Sequence, residues 1–206
     1  MTTERFDKAA ATWDKKPRRV QLAEKISTAI ITRLPLDKNM SGMEFGCGTG
    51  LVSLALAPKL KTLAALDTSQ GMLDVLQEKI DEQQLTNMHC LNADIFNDSY
   101  KEQYDLIFCS MTLHHLKDTD AVLKRFSELL NPGGYLAVAD LVTEDGSFHG
   151  PTVKDLYFHN GFDTEKLGKT LTELSMANIH TDIAHTITKE TTQKDYPIFL
   201  LTGQKQ

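Results

Sequence analysis

The apolar and polar positions change period along this chain, and the changes mark its elements. Residues 42–45 form a short apolar run that leads into a glycine-rich turn. Residues 51–57 read as a helix stopped by Pro58, and residues 62–66 as a second apolar run that ends at Asp67. In residues 70–83 the side chains of Met72, Leu73, Leu76 and Ile80 recur at helical spacing. Residues 87–93 form a further strand candidate, ending at Asp94. Residues 104–109 are apolar except for Asp105, as in a strand buried on both faces. Residues 120–130 make an amphipathic helix through Ala121, Leu123, Phe126, Leu129 and Leu130. The turn signal Asn131-Pro132-Gly133-Gly134 stops it, and residues 135–141 are the next strand.

This alternation predicts a parallel sheet with helices on both faces, joined by right-handed crossovers. The C-terminal part departs from it. Residues 164–177 read as helix, residues 178–188 alternate with Ile179, Ile183 and Ile187 on one parity, and residues 196–202 are a last apolar run. Too few residues separate the last two strands for a crossover helix, so they read as an antiparallel hairpin. Before the first strand, residues 3–13 and 19–34 read as two helices divided near Pro17. Residues 142–162 break the pattern, and an irregular stretch of that length points to function.

Composition narrows the class. The 206 residues are 41% hydrophobic and 24% charged, an ordinary globular balance, so the expectation is a single domain over residues 1–206. Against 28 acidic residues stand 22 Lys and Arg, a net charge of −6, which disfavours bulk phosphate-backbone binding. The one dense basic cluster, Lys15, Lys16, Arg18 and Arg19, is short enough to be a solvated face. Cys47, Cys90 and Cys109 lack metal-ligand or disulfide-framework spacing, so no metal is expected, and free thiols suit a reducing cytoplasm. Residues 1–10 lack the apolar core of a signal peptide, and no apolar stretch approaches the roughly 20 residues that span a bilayer.

The candidate chemistry starts at Glu44-Phe45-Gly46-Cys47-Gly48-Thr49-Gly50, between a strand and a helix. Glycines there let a ligand touch the main chain, although a lone GxGxG is matched equally well by a plain tight turn. Asp67, at the end of the second strand, is placed to accept hydrogen bonds from ribose hydroxyls. Asp94 could meet an adenine amino group, and Ser110 and Met111 end the fourth strand. Each Asp has a plainer role as a cap of the following helix. Together they indicate a nucleoside-containing cofactor. The dinucleotide fingerprint would need glycine where Leu51 stands, and no P-loop is present. Glu44 would repel a pyrophosphate but attract an ammonium or sulfonium group. S-adenosylmethionine (SAM) carries both.

The segments MEFGCGTGLVSLAL, AALDTSQGMLDVLQEK, NADIF, YDLIFCSMTLHHLKD and LLNPGGYLAVAD, over residues 40–141, resemble class I SAM-dependent methyltransferases. They are most similar to the branch of the ubiquinone and menaquinone biosynthesis enzymes. The resemblance implies an α/β, Rossmann-like, doubly wound and mostly parallel seven-stranded sheet. It also implies a SAM cofactor with S-adenosylhomocysteine as product. Glu44, Gly46, Gly48 and Gly50 would line the methionine and ribose portion, with Cys47 packing among them. Asp67 would hold the ribose, Thr68 and Met72 the adenosine, and Asp94 and Ile95 would flank adenine. Ser110 and Met111 would lie beneath the sulfonium. Residues 1–35 would form a helical lid, with Trp13 and Arg19 over the cofactor. Residues 142–162 would cover the acceptor.

In-line methyl transfer needs alignment, exclusion of water, and a base only for a protonated nucleophile. His115, His149, Tyr157 and His159 are the catalytic candidates, with plain packing as their alternative. The [DN]PP[YFW] motif of many nucleic-acid and protein amino-methylating enzymes is absent. The expected partner is therefore a small-molecule acceptor, not nucleic acid or membrane, with the chain a monomer or homodimer. RNA or protein methylation and a non-catalytic SAM-binding regulator stay open as alternatives.

Overall fold

The structure is a computed structural model, and it describes residues 3–97, 99–150 and 157–206. Residues 151–156 of the expected acceptor-side stretch lie outside the described residues. The chain begins with α1 (Glu4–Ala9), a 3-10 turn (Ala10–Lys15) and α2 (Pro17–Arg33). Pro17 stands at the first helical position of α2, where its missing N–H costs nothing. The alternating part follows as β1 (Ser41–Phe45), α3 (Leu51–Leu56), β2 (Thr62–Leu66), α4 (Gln70–Glu82), β3 (Met88–Leu91), β4 (Tyr104–Ser110), α5 (Thr119–Leu129) and β5 (Leu130–Leu141). It closes with α6 (Thr164–Glu173), β6 (Met176–Lys189) and β7 (Lys194–Lys205).

The seven strands form one sheet in the order β3-β2-β1-β4-β5-β7-β6. β1 pairs in parallel with β2 and β4, so the three strands end at one edge. β5 is parallel to β4 and antiparallel to β7, which pairs antiparallel with β6. One face of the sheet packs against α2, α3 and α4 through Ile26, Ile30, Leu56, Leu73 and Leu76. The other packs against α5 and α6 through Leu123, Phe126, Leu167 and Leu171. The central strands present apolar residues to both cores, which explains their unbroken apolar runs.

The structure differs from the sequence expectation at several points. The last helix ends at Glu173 instead of 177, because Ser175 takes a left-handed backbone (φ 61°) that no helix continues through. β3 stops at Leu91, so Asp94 lies in a loop and does not end the strand. The single parity shared by Ile179, Ile183 and Ile187 in β6 is also broken. Register shifts between Ala177 and His180 and between Ile183 and His185 turn the side chains. Ile179 therefore packs on the α5–α6 core, Ile187 is buried in the opposite core, and Ile183 is 55% exposed.

Phe126 is fully buried on α5, with its ring 5.3 Å edge-on to Phe45. Phe126→Ala is expected to lower unfolding stability by about 3–5 kcal/mol, measured by chemical denaturation.

Candidate active site

The glycine loop is folded by one carbonyl. The amides of Gly46 and Cys47 both donate to Leu66 O, at 2.8 and 2.9 Å. This draws the loop after β1 across the end of β2. Gly46, Gly48 and Gly50 all have positive φ (72°, 54° and 77°), a backbone that L side chains rarely adopt. At Gly50 a Cβ would also fall 2.1 Å from Leu76 Cδ1, so glycine is required for the start of α3 to meet α4. Gly48 is different, with open space where its Cβ would be.

The crossing brings Asp67 under the loop. Its Oδ2 accepts from Gly48 N and its Oδ1 from Ser69 N, each at 2.8 Å. Each carboxylate oxygen keeps lone-pair capacity for a further donor. Beside it, Glu44 is 2% exposed and accepts a hydrogen bond from Ser53 Oγ. Burial raises the Glu44 carboxyl to about 8, with the neighbouring Asp67 charge adding to the shift. Burial also raises Asp67, and raises the Cys47 thiol well above its ordinary value, where Glu44 and Asp67 add repulsion. Three acidic groups on one wall thus resist ionisation, chiefly because burial desolvates their charged forms.

These residues line a cavity of about 410 Å³. Among the sequence candidates, Glu44, Gly46, Cys47, Gly48, Asp67, Thr68, Met72, Ser110 and Met111 lie on it. Trp13 and Arg19 close it from the N-terminal segment. The Arg19 guanidinium lies 3.4 Å from the Trp13 ring centroid and donates to Trp13 O at 3.2 Å. Burial and nearby Arg18 pull the Arg19 pKa down. Arg19 is thereby separated from the exposed Lys15, Lys16 and Arg18.

His115 is the one catalytic candidate on the cavity wall, with Phe6 edge-on at 5.5 Å. Gly50, Asp94, Ile95, His149, Tyr157 and His159 do not line it. Gly50 shapes the turn beneath. Asp94 is exposed and accepts from Phe96 N within its own loop, while Ile95 is buried in the α5–α6 core. His159 Nε2 lies 2.9 Å from the Leu116 carbonyl. His149 stacks on Tyr157 (4.3 Å, 27°) and lies 5.1 and 6.1 Å from the rings of His114 and His115. Its Nε2 is buried without a hydrogen-bond partner. Burial, reinforced by the adjacent imidazoles and Lys189, lowers His149 to about 3, so the ring is neutral.

The sequence reading missed the base of this histidine cluster. Asp140, with no exposure, accepts from the His114 backbone amide at 3.2 Å and lies 2.7 Å from His114 Nδ1. The sequence signal was a carboxylate inside the apolar run of β5. Thr49 and Thr112 on the cavity wall were also missed. Among the described residues, no group of three or more His, Cys, Asp or Glu is placed to hold a metal, and no helix is long and apolar enough to cross a membrane.

Glu44 has a consequence for the ligand-free protein. The folded state holds its proton up to about pH 8, while the unfolded chain releases it near the ordinary carboxylate value of 4.5. The stabilisation is therefore complete below the lower value and fades as pH rises to the upper one. Denaturation across that window should show a downward slope in stability that Glu44→Gln reduces.

Comparison with known proteins agrees with this geometry. Residues 43–136 match the model of a methyltransferase domain. An uncharacterised methyltransferase of Schizosaccharomyces pombe is 33% identical over 153 residues, covering 68% of this chain and 54% of that protein. A ubiquinone biosynthesis O-methyltransferase of Coxiella burnetii is 33% identical over 95 residues, 46% of this chain and 40% of that protein. The chain thus spans about half the length of the curated relatives it matches. The crystal structure of a SAM-dependent methyltransferase from Aquifex aeolicus superposes with a TM-score of 0.67 at 18% identity, covering 99% of this chain and 98% of the other. Residues 43–136 are therefore a methyltransferase domain, carried on the fold of the SAM-dependent methyltransferases.

Proposed function

We propose that this chain, acting as one domain, transfers a methyl group from SAM to a small-molecule acceptor. The observation that carries the reading is the wall of Glu44, Cys47 and Asp67, acidic groups raised together beside a backbone-lined cavity. A ligand with a cationic group and a ribose fits that wall. The relatives support the same reading through their methyltransferase names.

When bound, SAM supplies an electrophilic methyl group on a sulfonium. Glu44 would release its proton to solvent as a cationic group binds and would face that group as a carboxylate. Asp67 would offer its remaining lone pairs to the ribose hydroxyls. Gly46 and Gly48 let the ligand approach the main chain, with Thr68 and Met72 beside the adenosine. Ser110 and Met111 form the floor, and Asp94 and Ile95 would reach adenine only through a shift of their loop. Trp13 and Arg19 roof the site and exclude water, which preserves the alignment that displacement needs.

On the acceptor side, His115 forms the wall, and His149 and Tyr157 form a stack behind it. His159 anchors this segment. The unpaired Nε2 of the neutral His149, which does not line the cavity, would accept a hydrogen bond from the hydroxyl or N–H of an acceptor only through a shift that brings it past His115. A monomer or homodimer in the cytoplasm is part of the same proposal, in keeping with three cysteines not joined in disulfides.

Calorimetric titration with SAM, S-adenosylhomocysteine and NAD tests the cofactor. Both adenosyl ligands should bind and NAD should not; absence of adenosyl binding defeats the reading. Asp67→Ala should weaken SAM binding about tenfold, from two lost hydrogen bonds of about 0.5–1.5 kcal/mol each. With an acceptor found by screening for S-adenosylhomocysteine release, His149→Ala should lower kcat about tenfold and leave SAM affinity unchanged. Equal loss of both would move His149 to the cofactor side.

A further inference from the structure

We propose that Asp14 and Lys79 are positioning residues of the cofactor site, tying the N-terminal segment to the glycine loop through Thr49 so that loop and Trp13 roof are held as one unit. The inference rests on the cofactor reading above. It begins with a closed triangle of hydrogen bonds. Lys79 Nζ, on α4, donates to Asp14 Oδ2 at 2.5 Å and to Thr49 O at 2.6 Å. Thr49 Oγ1 donates to Asp14 Oδ1 at 2.6 Å. Three separate elements therefore meet at one point: the 3-10 turn, the glycine loop and α4.

Thr49 is where such a clasp has most to do. It stands between Gly48 and Gly50, both at positive φ. Glycines have the widest backbone freedom, so this stretch depends on hydrogen bonds to hold one conformation, and the clasp adds to those from Leu66 O and Asp67. The clasp grips both the carbonyl and the hydroxyl of the residue between them. Asp14 directly follows Trp13, so the same carboxylate that steadies the loop also anchors the roof. The Lys79 and Asp14 side chains are 20% and 29% exposed, which screens their pairing less than that of a fully exposed pair.

A second anchor runs parallel to the first. Asp7 Oδ1 accepts from Ser69 Oγ at 2.6 Å and from Gly71 N at 3.0 Å, at the start of α4. These donors lower the Asp7 pKa and keep it charged. A Cβ on Gly71 would lie 2.9 Å from Asp7 Cα, so glycine permits the close approach. Ser69 also donates its amide to Asp67. Asp7 and Asp14 thus attach the N-terminal segment to the immediate neighbours of the two groups expected to hold the cofactor, Asp67 and Gly48.

The experiment measures S-adenosylhomocysteine binding by calorimetry and its dissociation by stopped-flow fluorescence of Trp13, the sole tryptophan. The chains compared are wild type, Asp14→Asn, Lys79→Met, the double variant and Lys79→Arg. Each of the first two variants should raise Kd and the dissociation rate about tenfold, through loss of charge-assisted hydrogen bonds. The double variant should be no more than about twofold worse than either, because the pair acts as a unit. Lys79→Arg should recover most of the loss. Thermal unfolding of each ligand-free variant separates folding from binding. If Asp14→Asn and Lys79→Met lower the melting temperature but leave Kd and dissociation unchanged, the clasp only anchors a helix and the inference is overturned. If wild type does not bind S-adenosylhomocysteine, the cofactor reading itself fails, a result distinct from a null effect of the variants.

Discussion

The site depends on the Leu66 carbonyl, which accepts the amides of both Gly46 and Cys47. Those two hydrogen bonds bend the chain after β1 over the end of β2. Without them the glycine loop would have no fixed relation to Asp67, which follows Leu66 directly. With them, Gly48 N reaches the Asp67 carboxylate, and Thr49 comes within range of α4 and the N-terminal segment. The parallel register of β1 with β2 makes this possible, since Phe45 stands opposite Leu66 and both strands stop at the same level. Ligand sites in open parallel sheets gather at such strand ends for this reason.

Electrostatics divides the molecule's ligand side in two. Along the glycine loop, acidic groups are buried beside one another, and burial makes each resist ionisation. Beyond the fourth strand the groups are of another kind. Imidazoles crowd together over one buried carboxylate, Asp140, and the most burdened of them, His149, stays neutral. The fold sets this division by placing Glu44 and Asp67 at the ends of β1 and β2 and the histidines after β4 and β5.

The sheet itself was legible. Short apolar runs, turn signals and helical spacing located the strands and helices within a few residues, because burial on both faces imposes an unbroken apolar run. The place of the glycine loop and of Asp67 was legible too, from the strand-loop-helix context. β6 was not. Its three isoleucines share a parity in the chain, but two register shifts send Ile179 and Ile187 to opposite faces and leave Ile183 in water. A bulge leaves little mark on composition, so alternation misled. Asp94 failed for a related reason: β3 is shorter than its apolar pattern, and the carboxylate turns to its own loop.

The sequence by itself determined the class of fold, the place of the glycine loop and the acidic residues beside it, since these follow from local pattern and nearest neighbours. Tertiary structure alone decided which distant side chains meet. Asp14 and Lys79 are ordinary surface charges until the N-terminal segment lies across α4. Asp140 is an anomaly in an apolar strand until His114 is set above it. Trp13 becomes a roof only when Arg19 stacks on it and α1 docks at Gly71. Such pairings join elements far apart in the chain, and their distances are set by how helices pack on the sheet, which no local periodicity encodes.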